Sequence, residues 1–166
     1  VAVGHSLGGT IALEACEQER RLVACANFEG TPEGTIVAER GPSKPILFVG
    51  SPSGKPDRPH VVPPIDRPPY RDLAKGNGPG TWLVAVRGGS HMSYSDAPFV
   101  MPTTLSRFGG ELMTPERSMQ VYVGMTEQFA RTYLGSKSAA GFARWLSSTP
   151  EVKFRLLESG KDSAVR

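Results

Sequence analysis

The opening segment, Val1-Ala2-Val3-Gly4-His5-Ser6-Leu7-Gly8-Gly9, constrains the fold more than any other stretch of the chain. A short apolar run ends on Gly-x-Ser-x-Gly, and Ile11, Ala12, Ala15 and Cys16 follow at helical spacing. This is the pattern of a strand that turns sharply into a helix at a serine. Such a turn needs residues without Cβ where its limbs approach, and Gly4 and Gly8 flank Ser6 two positions to either side. The chemistry explains the spacing. A serine oxygen becomes a useful nucleophile only when it projects freely toward a general base and an electrophilic carbon. Ser6 also opens a helix, whose terminal amides and dipole favour developing negative charge. The backbone N–H of Leu7 is the expected first half of an oxyanion hole.

Further along, Leu22-Val23-Ala24-Cys25-Ala26 and Pro45-Ile46-Leu47-Phe48-Val49-Gly50 read as short buried strands, and Thr81 to Val86 as a fourth. Glu29 to Lys44, with Gly30, Gly34, Gly41, Pro32 and Pro42, reads mostly as loop. Ser51 to Tyr70 is too rich in proline for a central strand or an unbroken helix, and Tyr70 to Lys75 suits a helical turn. After His91 the chain reads as irregular to about Met113. Thr114 then suits an N-cap and Pro115 a first helical position, with Tyr122, Met125, Phe129 and Tyr133 on one stripe and a stop at Gly135. Ser138 to Leu146 reads as a further helix and Thr149 to Gly160 as a last one. Apolar strands separated by helices or long crossovers indicate an α/β domain with a mostly parallel sheet and flanking helices. One domain over residues 1–166 is expected, with the turn unit at 1–19, core strands and loops to about 95, and a helical segment over about 114–160. A chain that opens inside an apolar strand also leads us to expect further N-terminal strands upstream of Val1.

Composition narrows the function classes. With 39% hydrophobic and 21% charged residues, the 166-residue chain suits a globular domain. No apolar run reaches the ~18 residues of a membrane-spanning helix. The formal charge is +3, Arg20-Arg21 is the sole adjacent basic pair, and no basic block is interleaved with aromatics, so nucleic acid is not the expected partner. Cys16 and Cys25 both fall in core segments and read as buried free thiols in preference to a disulfide or a metal-binding pair.

A serine nucleophile requires a base and an acid that orients it, in the chain order serine, acid, histidine. Three histidines are available. His5 adjoins Ser6 and its side chain is expected to point away, in a structural role. His60 lies in the proline-rich stretch. His91, in Gly88-Gly89-Ser90-His91 directly after the fourth strand, is the expected base. Glu29 follows the second strand closely enough to be held by the sheet edge, which suits an orienting carboxylate. Asp57, several residues beyond the third strand, remains open as an alternative, and Asp66 and Asp96 are weaker ones. Met92, Tyr94, Phe99, Val100 and Met101 suit either an apolar acyl pocket or ordinary packing beneath a loop.

Together, Gly4-His5-Ser6-Leu7-Gly8-Gly9, Asn27-Phe28-Glu29-Gly30, Lys44-Pro45-Ile46-Leu47-Phe48 and Gly89-Ser90-His91 resemble the platelet-activating factor acetylhydrolase-like members of the α/β-hydrolase superfamily. The resemblance covers roughly Val1 to Ser95, and the glycine-flanked serine turn is its specific part. It implies the C-terminal portion of an α/β-hydrolase fold and hydrolysis of carboxylic esters, small or lipid, without metal or organic cofactor. It also implies Ser6 as nucleophile, Glu29 as acid and His91 as base. Glu29 stands where the family has Asp, which leaves the acid open between Glu29 and Asp57. The family's second oxyanion donor precedes the serine turn, so the resemblance places it upstream of Val1 and leads us to expect weak activity from these residues alone. The same turn serves peptidases, thioesterases and other acyl-transfer enzymes, and a binding module that merely kept the fold is a further reading.

Overall fold

The computed structural model describes residues 1–32, 35–50, 73, 80–101, 113–158 and 161–162. A six-stranded mixed sheet runs in simple sequence order. Its strands are β1 (Ala2–His5), β2 (Cys25–Phe28), β3 (Ile46–Gly50), β4 (Thr81–Val86), β5 (Val152–Glu158) and β6 (Lys161–Asp162). The first four are parallel, while β5 and β6 continue the sheet antiparallel. The α/β class read from the sequence is therefore present, in a sheet that is mostly parallel.

Strand alternation divides the core into two layers. Ala26, Phe28, Leu47, Val49, Trp82, Val84 and Val86 face one side. There they meet α4 (Pro115–Tyr133) and α5 (Ala139–Ser147) through Tyr122, Met125, Phe129, Phe142 and Leu146. Ile46, Phe48 and Leu83 face the other side, against Leu13 of α1 (Leu7–Gln18) and Val37 of α2 (Ile36–Arg40). Because β2, β3 and β4 are covered on both faces, every residue in them is buried, which explains their unbroken apolar runs. Helix α4 begins where its sequence signals it, with Pro115 in the first turn and the Thr114 hydroxyl accepting the Arg117 N–H. Ser138 caps α5 in the same way.

Several expectations are corrected. The segment after Thr149 is not a helix: Val152, Phe154 and Leu156 alternate with Lys153 and Arg155, and this period of two pairs β5 along all of β4. The second strand begins at Cys25 rather than Leu22 and runs on to Phe28. The loop before β3 contains α2, whose first turn is capped by the Thr35 hydroxyl. Ile11 lies on the exposed side of α1, and Leu13 takes the buried place. Cys16 and Cys25 are not free thiols but form a disulfide. Helix α1 crosses β2 with these two side chains face to face, their Cα atoms 6.1 Å apart, a juxtaposition that only the packed fold creates. The proline-rich stretch and the turn expected over 70–75 lie outside the described residues except for Leu73, which is buried in the second core layer.

Candidate active site

The site lies at the carboxyl ends of the parallel strands, where loops leave the sheet. Strand β1 passes into α1 at Ser6, whose backbone is forced to φ 55° and ψ −127°. Gly4 makes that possible, because a Cβ there would lie 2.0 Å from the Gly8 carbonyl oxygen. The expectation for the second motif glycine is corrected. A Cβ on Gly8 meets no described atom within 4 Å, whereas one on Gly9 would lie 2.3 Å from Asn27 Oδ1. Gly9, outside the five-residue motif, is the glycine that lets α1 lie against β2. Leu7 is the first residue of α1, so its amide sits at the positive end of the helix beside Ser6, and its side chain is exposed.

Glu29 directly follows β2 and also adopts positive φ, 56°. Its N–H donates to the Val49 carbonyl at 2.8 Å, which fixes the backbone to the sheet edge. His91 begins a 3-10 turn (His91–Tyr94) after β4. Gly88 turns the chain at φ 74°, and Gly89 passes so close to α4 that a Cβ would lie 2.3 Å from the Tyr122 hydroxyl. Ser90 and Ser93 close this turn reciprocally, each side chain bonded across it.

These three loops bring Ser6, Glu29 and His91 together. His91 Nε2 lies 3.1 Å from Ser6 Oγ, and Nδ1 lies 2.9 Å from Glu29 Oε2. The His91 side chain is 49% exposed and that of Glu29 only 14%, so the imidazole is open to solvent while the carboxylate is sheltered. Asp96, weighed as an acid, stands at the start of α3 (Ala97–Val100), and Glu29 takes the His91 nitrogen instead. Asp57, Asp66 and His60 lie outside the described residues.

His5 packs its ring on that of His91, with centroids 4.6 Å apart, and on Tyr94 at 5.4 Å. Burial, and then the neighbouring His91, hold its pKa below the usual imidazole value. Beside it is a cavity of about 560 Å³, lined among others by Val3, His5, Phe28, Tyr94, Phe99 and Tyr122. Of the five residues named for an apolar pocket, Tyr94 and Phe99 line this cavity, while Met92, Val100 and Met101 are exposed elsewhere. No described helix is long and apolar enough to cross a membrane, and no cluster of three or more possible metal ligands occurs among the described residues.

Sequence reasoning passed over Asn27. It is fully buried in a strand that is otherwise apolar, and that misfit of a polar side chain in Cys25-Ala26-Asn27-Phe28 was the available signal. No protein-family model matches the chain, and comparison with curated proteins finds no match.

Proposed function

We propose that the protein is a serine hydrolase of carboxylic esters, built on the C-terminal portion of an α/β-hydrolase sheet, with Ser6 as nucleophile, His91 as base and Glu29 as acid. The observation that carries this reading is the continuous run of contacts from Ser6 Oγ through both ring nitrogens of His91 to the sheltered Glu29 carboxylate.

With its proton on Nδ1, His91 donates to Glu29 and leaves Nε2 to accept the Ser6 hydroxyl. As Oγ attacks the acyl carbon, the hydroxyl proton passes to Nε2, and Glu29 stabilises the resulting imidazolium. The Leu7 N–H, at the start of α1, stabilises the negative charge that develops on the former carbonyl oxygen. Collapse of the tetrahedral species expels the alkoxide, which takes the proton from Nε2. Water then attacks the acyl-enzyme with His91 again as base and releases the acid. The exposed face of His91 gives that water access. The substrate class is a small-molecule or lipid ester, and the chemistry draws on no metal or organic cofactor.

The test is labelling by a fluorophosphonate probe together with hydrolysis of a short-chain p-nitrophenyl ester. Ser6→Ala is expected to abolish labelling and to lower kcat/KM by at least about a thousandfold. Undiminished labelling of the Ser6→Ala protein would overturn the proposal. A parallel panel of thioesters and peptides separates ester hydrolysis from other acyl transfers at the same serine.

A further inference from the structure

We infer that Asn27 is a positioning residue for the acid of this site, its amide holding the turn that aims Glu29 at His91. The inference rests on reading Ser6, His91 and Glu29 as a catalytic relay.

Asn27 Oδ1 accepts the Gly30 N–H at 2.6 Å, and Nδ2 donates to the Gly30 carbonyl at 3.0 Å. One side chain thus grips both backbone groups of the residue three positions on, and Glu29 lies inside the loop so closed. Glu29 there adopts φ 56°, a conformation that non-glycine residues avoid unless their surroundings impose it. Neighbouring packing leaves the clamp little freedom. A Cβ on Gly9 would strike Asn27 Oδ1 at 2.3 Å, so α1 lies directly against the amide. A Cβ on Gly30 would strike the Ser6 carbonyl oxygen at 2.3 Å and the Thr10 nitrogen at 2.6 Å, so the acid's turn rests on the backbone of the nucleophile's turn. The Ser6 N–H in turn donates to the Phe28 carbonyl at 2.8 Å. The Asn27 amide therefore joins the two strained corners of the site, one carrying the hydroxyl and the other the carboxylate. An apolar residue at this place would fill the strand equally well and would release the Phe28-Glu29-Gly30 turn.

A merely structural asparagine and a positioning one differ in what their loss does to His91. Asn27→Ala removes both bonds, while Asn27→Asp keeps the shape and the acceptor but loses the donor. On a short-chain p-nitrophenyl ester, with active sites counted by fluorophosphonate, Asn27→Ala is expected to lower kcat by at least about tenfold with KM within about twofold. Asn27→Asp should fall between it and the wild type. Combined with Glu29→Gln, neither should cause further loss, because both act through the same carboxylate. Independently of turnover, proton spectra should show a far-downfield Nδ1–H signal from His91 bonded to Glu29, lost in folded Asn27→Ala. Unchanged kcat and an unchanged signal, or losses that multiply in full with Glu29→Gln, would overturn the inference. If Asn27→Ala does not fold, Asn27→Asp decides by the same measurements. Should the wild type neither bind the probe nor turn over ester, the hydrolase reading falls, and the downfield signal still decides whether Asn27 sets Glu29 on His91.

Discussion

Among the described residues other than glycine, Ser6 and Glu29 alone hold positive φ, and they face each other across His91. Each such conformation costs about 1–3 kcal/mol, which tight packing around the two turns must offset. The glycines of the motif differ in how far they serve that packing. Gly4→Ala is expected to destabilise the fold by about 2–3 kcal/mol or more, because its Cβ would fall 2.0 Å from backbone that has no room to move. Gly8→Ala should be neutral or stabilising by up to about 1 kcal/mol, since its Cβ meets no described atom and alanine favours a helix. Urea unfolding of the two variants checks this, and equal losses would refute it. The serine and its turn were legible from spacing, because the constraint is local. Which glycines are sterically obligatory was not, because Gly9 answers to Asn27 on another strand.

At the scale of elements, α4 was legible to its caps, since Thr114, Pro115 and the apolar stripe act within a few residues. Strand β5 is not legible in the sequence because a short run of mixed residues fits two periods, and only its pairing with β4 selects the period of two. Helix α1 and strand β2 are joined covalently by Cys16–Cys25, nine residues apart in sequence. Closing a loop of that length in the unfolded chain is worth about 2–3 kcal/mol. The pair Cys16→Ala/Cys25→Ala is accordingly expected to lose about that much stability, as is the wild type unfolded in reductant. Denaturation curves that coincide with and without reductant would exclude the bond. The pairing is not legible in the sequence, because neither position shows which residue of the sheet a helix will cross.

For the molecule as a whole, the sheet gathers loops from three strand ends at one place, and the His5 ring packs against His91 there. Its pKa is held below the unfolded value of 6.5 by burial, with His91 opposing its charge and Glu29 partly favouring it. The folded state thus binds this proton less readily than the unfolded one. The stabilisation is complete above about pH 6.5 and declines as the pH falls through 6.5 toward the lower folded value. Glu151, lowered by Arg117, acts in the same direction but only below its ordinary carboxylate value of 4.5. Between pH 7 and 5 the fall in Tm is therefore expected to be steeper for the wild type than for His5→Phe. Parallel Tm profiles for the two would show that His5 carries no such linkage.

The α/β class, the strand–turn–helix at Ser6, the caps of the long helix and the short list from which the site is drawn can all be read from the order of residues along the chain. Each of these follows from interactions between residues a few positions apart, where periodicity and turn sterics act. That Glu29 meets His91, that Cys16 meets Cys25, that Asn27 grips Gly30 against α1, and that the sheet ends in antiparallel strands emerges from the packed fold alone. Those outcomes depend on which elements become neighbours, and that is set by burying both faces of one sheet at once rather than by any single stretch of chain.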